Sequence, residues 1–209
     1  MKKILHIVSS VKGNESFSNK LSNAIIQKLS SAYPGSSVHI HDLTKSPFPH
    51  LDQTHFSSFY TPEQLRTPEH KEAIKRSDEA IKVLMEADII VIGVPLYNFG
   101  IPSTLKAWID HIVRAGVTFR YANGVPEGLV TSKKVYLAIA SGGVYSEGPM
   151  KSHDFTESYL RTALGFIGMT DIKVFRVEGA LLPELKEKAL PNAIDTVNNF
   201  ALELMSDHV

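Results

Sequence analysis

Ser9-Ser10-Val11-Lys12-Gly13-Asn14-Glu15-Ser16-Phe17-Ser18 is a polar, glycine-containing run leading into an amphipathic segment, and the chemistry it suits is anion binding. A helix N-terminus presents free N–H groups and a positive partial charge, so hydroxyls beside it complete an anion site without arginine. Ser10, Ser16, Phe17 and Ser18 are the candidates, and a phosphate monoester is a fitting ligand. A plain helix cap by Ser16 or Ser18 would use the same residues. The run is neither GxGxxG nor GxxxxGKS/T, which argues against a dinucleotide fingerprint and an NTPase.

Two further stretches suit a flat heteroaromatic ring. Leu96-Tyr97-Asn98-Phe99 offers two aromatic faces around an amide that both donates and accepts hydrogen bonds. In Ala140-Ser141-Gly142-Gly143-Val144-Tyr145, the paired glycines let backbone N–H groups approach a ring edge closely. An aromatic plug over a sheet and an ordinary glycine turn are the plainer readings of these two. Phosphate, ring face and ring edge in three separate loops are more than coincidence requires.

The elements that must position these loops read as alternating strands and helices. Ala87 to Val94 is almost continuously apolar and β-branched, like a strand covered on both faces of a parallel sheet, and Pro95 ends it. Pro102 presets a helical φ, and Leu105, Trp108, Ile109, Ile112 and Val113 repeat at helical spacing up to Gly116, the expected C-cap. Strands are also predicted at Lys3 to Val8, Val38 to Leu43, Lys134 to Ile139 and Ile172 to Val177. Helices are predicted from Phe17 or Ser18, over Glu69 to Glu86 and Tyr159 to Met169, and over Glu184 to Met205 with Pro191 kinking or dividing the last. Thr44 to Pro68 reads as a long aromatic loop without a sustained period, and Asn123-Gly124 as a hairpin turn. His39 and His41 share a face of the second strand, which suggests a solvated edge.

This alternation predicts an α/β fold with a five-stranded parallel sheet, order 2-1-3-4-5, and helices on both faces. Right-handed crossovers then bring the loops after strands one, three and four to one carboxyl edge, where such sheets bind ligands. Residues 1–209, with 43% hydrophobic content, suit a single domain. Lys plus Arg equals Asp plus Glu at 22 each, so no global field favours nucleic acid or an anionic membrane. The absence of cysteine excludes disulfides and a thiol nucleophile. The apolar run after Lys2-Lys3 is too short for a signal peptide, no run approaches the roughly 20 residues of a membrane span, and the expected compartment is the cytoplasm.

Taken together, the loops describe a flavin mononucleotide (FMN) site on a flavodoxin-like sheet. The chain resembles the FMN-dependent NADH-azoreductase family, part of the flavodoxin-like quinone reductases, from the first strand to about Glu178. The matching motifs are Pro95-Leu96-Tyr97-Asn98-Phe99, Arg114 to Tyr121, Pro126-Glu127-Gly128-Leu129-Val130 and Leu164 to Asp171. The resemblance implies that Ser10, Ser16, Phe17 and Ser18 hold the phosphate. It places the isoalloxazine against Leu96, Tyr97, Asn98 and Phe99 and against Ala140, Ser141, Gly142 and Gly143. There are two departures. Leu96 stands where the family often has Met, and Ala140-Ser141 replaces Ser-Arg, removing a hydroxyl and a guanidinium beside the ring while leaving the backbone donors.

The resemblance further implies an FMN-dependent NAD(P)H oxidoreductase that reduces quinones and azo compounds by two-electron, ping-pong hydride transfer. The co-substrate is NADH, with NADPH open because no arginine pair marks a 2′-phosphate site. The flavin performs the chemistry, so no catalytic side chain and no metal is expected. Such reductases are homodimers with sites walled by both subunits. Phe59, Tyr60, Phe119 and Tyr121 are the nominated substrate walls, and Tyr145 is a wall on the cofactor's own chain. An ordinary strand pair is the other reading of Phe119 and Tyr121.

The rival is a flavodoxin-type electron carrier without NAD(P)H turnover, but such carriers are usually strongly acidic and this chain is neutral. A hydrolase using Ser10 or Ser141 lacks the leading glycine of GxSxG. Nine histidines include no HExxH spacing.

Overall fold

The computed structural model describes residues 1–203 and 205. In chain order the elements are β1 (Lys3–Val8), α1 (Phe17–Ala32), β2 (Ser37–Asp42), α2 (Gln53–Tyr60), α3 (Pro68–Glu86) and β3 (Ile89–Pro95). They continue with α4 (Ser103–Ile112), β4 (Phe119–Ala122), β5 (Val125–Gly128), β6 (Lys134–Ala140), α5 (Phe155–Phe166), β7 (Asp171–Val177) and α6 (Lys186–Asn199).

Five parallel strands form one sheet in the order β2-β1-β3-β6-β7, and β4 and β5 form a separate antiparallel hairpin. Counted among sheet strands alone, this is 2-1-3-4-5. β3 is buried along its whole length, and its side chains alternate between two cores. Ile90, Ile92 and Val94 join Leu84, Leu105, Trp108, Ile112, Leu160 and Leu164 on one face. Ile89 and Val91 join Leu21, Ile25, Leu29 and Val197 on the other. A strand sandwiched between helix layers has no solvent face, which is why its sequence is apolar without alternation. β2, at the sheet edge, leaves His39 and Ile40 exposed and turns the half-buried His41 onto Phe48, ring centroids 5.4 Å apart.

Several expectations are corrected. The 44–68 segment contains α2, capped by Asp52, whose Oδ1 accepts the N–H of His55 at 2.9 Å. Its eight residues include Thr and two serines, weak helix formers, so no period was visible; docking holds it, with Phe59 edge-on to His111 at 5.9 Å. Gly116 is not a helix cap: α4 ends at Ile112 with Val113 as cap, and Gly116, at φ 76°, sits in a turn and donates to Phe119 O. α5 starts at Phe155, earlier than expected, because Asp154 caps it. Pro191 does not divide α6, which ends at Asn199. Residues 200–203 and 205 carry no regular structure, and Leu204, within the expected last helix, lies outside the described residues. No helix among the described residues is long and apolar enough to cross a membrane.

Candidate functional site

The carboxyl edge of the sheet gathers the three loops. After β1, Ser9 Oγ donates to Gly93 O at 2.7 Å, tying the first loop to β3. Ser16 caps α1 by accepting the N–H of Asn19 at 3.2 Å, and its hydroxyl lies 3.0 Å from that of Ser18. The N–H groups of Phe17 and Ser18 have no acceptor among the described residues. Ser10, Ser16 and Ser18 are all buried, so hydroxyls and free helix-end donors converge in one protected place. Gly93 permits this approach: a Cβ there would sit 3.3 Å from Ser18 O and 3.2 Å from Ser22 Oγ.

The second loop is a tight hairpin turn. Tyr97 and Gly100 exchange both backbone hydrogen bonds at 3.0 Å, with Asn98 at φ 49° and Phe99 at φ 70° between them. Two consecutive left-handed residues are the signature of a type I′ turn. Asn tolerates that conformation, whereas for Phe99 it costs about 1–2 kcal/mol. In this conformation Phe99 is 45% exposed at the edge. Tyr97 OH lies 3.2 Å from Ser10 Oγ, joining this loop to the first.

The third loop uses its carbonyls internally. Ser141, Gly142 and Gly143 O accept from Ala180, Leu181 and Gly179 N–H at 3.2, 3.0 and 3.0 Å, and Ser141 Oγ donates to Gly143 O at 2.8 Å. Among the described residues the N–H groups of Gly142 and Gly143 meet no acceptor. Ser141 therefore serves its own loop, and the two glycine N–H groups stay available. The Tyr145 ring lies over Gly143, where a Cβ would approach it to 3.3 Å.

One cleft joins these features. Ser10, Ser16, Phe17 and Ser18 line it from the first loop, Tyr97 from the second, and Ala140, Ser141 and Gly142 from the third. Leu96, Asn98, Phe99, Gly143 and Tyr145 adjoin these residues but are not among its walls. Lys12, Pro95, Ala180 and Leu181 complete the walls and were missed from sequence. The signal for the last two was available: they follow β7 at the same carboxyl edge. No carboxylate lines the cleft, so an anion there meets Lys12 and helix-end donors without repulsion. His6, below in β1, adds no charge at neutral pH, because burial pushes its pKa down to about 4.

The nominated substrate walls lie elsewhere on the chain. Phe119 is in the core against Phe166, centroids 4.6 Å apart, whereas Tyr121 on the same hairpin is 66% exposed. Phe59 lies beneath the Arg114 guanidinium at 5.0 Å, and Tyr60 is exposed. None of the four lines the cleft.

The fold has close counterparts. Residues 2–200 match the family model for the flavodoxin-like fold. A Herminiimonas arsenicoxydans protein named FMN-dependent NADH:quinone oxidoreductase is 48% identical over 199 residues, covering 95% of this chain and 98% of its own. One of the same name from Beijerinckia indica is 43% identical over 202 residues, covering 97% and 100%. Among solved structures, the azoreductase AzrA has a TM-score of 0.87 at 30% identity, covering 93% of this chain and 96% of its own. An FMN-dependent NADH-azoreductase from Bacillus anthracis in complex with FMN has a TM-score of 0.84 at 26% identity, covering 94% and 96%. Matched along nearly its whole length by that family model, and by relatives with almost half its residues in common, the chain belongs to the flavodoxin-like family.

Proposed function

We propose that this chain is an FMN-dependent NADH:quinone oxidoreductase that also reduces azo compounds, built as one FMN-binding domain over residues 1–209. The observation that carries the reading is the single cleft in which helix-end donors and buried hydroxyls lie at one side and the glycine loop lies at the other. The residues fit FMN. Ser10, Ser16 and Ser18 hydroxyls with the Phe17 and Ser18 N–H groups would hold the phosphate, and Leu96 to Phe99 with Ala140 to Gly143 and Tyr145 would hold the ring system. When bound, FMN would supply two-electron hydride chemistry between NADH and a quinone or azo acceptor.

The chain's own part is positioning and electrostatics. The Ser10 to Tyr97 hydrogen bond links the phosphate end to the ring end, so the two are not free to move apart. Gly142 and Gly143 have unpaired N–H donors that would stabilise negative charge on a reduced ring held by this loop, the same logic as an oxyanion hole. Lys12 and Tyr97 are the titratable groups among the cleft walls, so proton delivery from solvent suits this geometry better than a dedicated acid. The names of the relatives favour a reductase over an electron carrier.

The same proposal includes a homodimer with Tyr60 and Tyr121 walling a site across the interface, backed by Phe59 beneath Arg114 and by Phe119 in the core. The outward rings of Tyr60 and Tyr121, 64% and 66% exposed, support it. It also includes the cytoplasm, where NADH is the working reductant. The test is a binding titration of FMN against riboflavin. A phosphate cradle of three serines and a helix end should favour FMN by about a hundredfold or more, and equal affinities would contradict it.

A further inference from the structure

One buried ionic cluster lies beside the cleft without lining it. Arg176, near the end of β7, places Nη2 at 2.6 Å from both Asp154 Oδ2 and Glu157 Oε2. Its Nη1 lies 3.6 Å from Glu178 Oε1. The side chains of Arg176, Asp154 and Glu178 are 15%, 8% and 14% exposed, so these charges work largely out of water. Arg161 on Glu157 at 2.7 Å, and Lys151 in a second cavity that Arg176, Asp154 and Glu157 also line, bring the cations level with the three carboxylates.

Each branch of the cluster ends on one of the ring loops. Glu178 Oε1 accepts the N–H of Tyr145 at 2.7 Å and of Ser146 at 2.8 Å, and Glu178 Oε2 accepts the Ser146 hydroxyl. Two consecutive peptide N–H groups on one oxygen fix the chain direction two residues beyond Gly143, just past the pair with the widest backbone freedom. On the other branch, Asp154 caps α5 by accepting the N–H groups of Thr156 and Glu157 at 2.8 and 3.3 Å. The next residue, Phe155, donates its N–H to Phe99 O at 3.1 Å, inside the strained turn. One guanidinium thus joins the glycine loop and the aromatic turn through two carboxylates.

We propose that Glu178, held by Arg176, is a positioning residue for the ring-edge donors of Gly142 and Gly143. Its carboxylate sets the orientation in which those N–H groups face the cleft, and Arg176 keeps that orientation in step with the Asn98 to Phe99 turn. The role rests on the FMN reading above. Glu178 is not among the cleft walls, so its effect passes through the loop.

The test compares Glu178→Ala and Glu178→Gln in the full chain. Both variants lose the same charge, so differences between them report the loop, because the Gln oxygen still accepts an N–H. In FMN-free protein, hydrogen exchange over residues 142–146 should quicken about tenfold or more in the Ala variant and less in the Gln variant. Exchange in β1, β3 and β6 should stay at the parent rate. In FMN-loaded protein, the midpoint potential should be more negative in the Ala variant than in the Gln variant, since mislaid donors stabilise the reduced ring less. Parent-like exchange over the loop in the Ala variant, faster exchange spread through the sheet, or equal potentials in the two variants would overturn the positioning role. A parent protein that binds no FMN would overturn the FMN reading and the role resting on it, an outcome distinct from FMN binding with an unaltered loop.

Discussion

Gly128, at the end of β5, lies so close to Gly168 that a Cβ on Gly128 would sit 2.2 Å from the Gly168 nitrogen. Gly168 is itself at φ 108°, and Val130 N–H donates to Ile167 O at 2.8 Å beside it. The hairpin is thereby seated on the C-terminal end of α5. Two of the motifs that carry the family resemblance, Pro126 to Val130 and Leu164 to Asp171, are therefore each other's partners in the fold. No side chain fits where backbone meets backbone, so Gly128→Ala must displace one of the two chains. We expect a destabilisation of about 1–3 kcal/mol or more, seen as a lower melting temperature and faster proteolysis in the hairpin. A variant that melts like the parent would contradict this contact.

Phe99 carries strain and exposure together, a combination that favours function over stability. Phe99→Gly should relieve the left-handed conformation and raise stability by about 1 kcal/mol. It should also remove an aromatic face from the proposed ring site and lower NADH-dependent quinone turnover. A thermal melt and steady-state kinetics check the two arms. A variant that loses stability, or keeps full turnover, would contradict the assignment of Phe99.

His6 predicts a pH dependence of stability. Its Nε2 lies 2.9 Å from Ser22 Oγ, whose own proton goes to Asn19 O at 3.0 Å, so the imidazole donates and Ser22 accepts. Burial lowers the His6 pKa from 6.5 to about 4, with Asp42 opposing weakly. The unfolded chain takes up this proton as pH falls through 6.5, and the folded chain does so only near 4. Stability from this group is whole above that window, declines through it, and levels off below. Linkage sets the loss at roughly 3 kcal/mol. His41 and His111 are also lowered, mainly by burial, and act in the same direction. Denaturant melts of the parent and His6→Gln at several pH values should show a shallower decline in the variant. Identical slopes would remove His6 from the account.

Legibility in the sequence followed the range of the interactions that set each element. β3 was plain because Ile89 to Val94 are buried on both faces, so burial alone dictates their type. The Asn123-Gly124 turn was plain because that pair suits two left-handed residues. The equivalent turn at Asn98-Phe99 was hidden, since Phe gives no local signal for φ 70°. α2 was hidden because its support comes from His111 and Arg114, far along the chain. The wall formed by Ala180 and Leu181 was legible only through topology, as residues following β7 at the carboxyl edge, because their hydrogen bonds to Ser141 and Gly142 pair two loops and leave no period in either segment. The serine cradle could be read because a helix end and its caps are local chemistry. The bond from the Tyr145 N–H to Glu178 could not, because only the fold brings them together.

The most direct test of the central claim is an anaerobic absorption spectrum of the purified protein, reconstituted with FMN and freed of excess. The account predicts a retained flavin spectrum that bleaches on adding NADH and returns on adding a quinone. Bound flavin that NADH leaves oxidised would contradict the reductase and favour an electron carrier, and no retained flavin would contradict the three-loop FMN site itself.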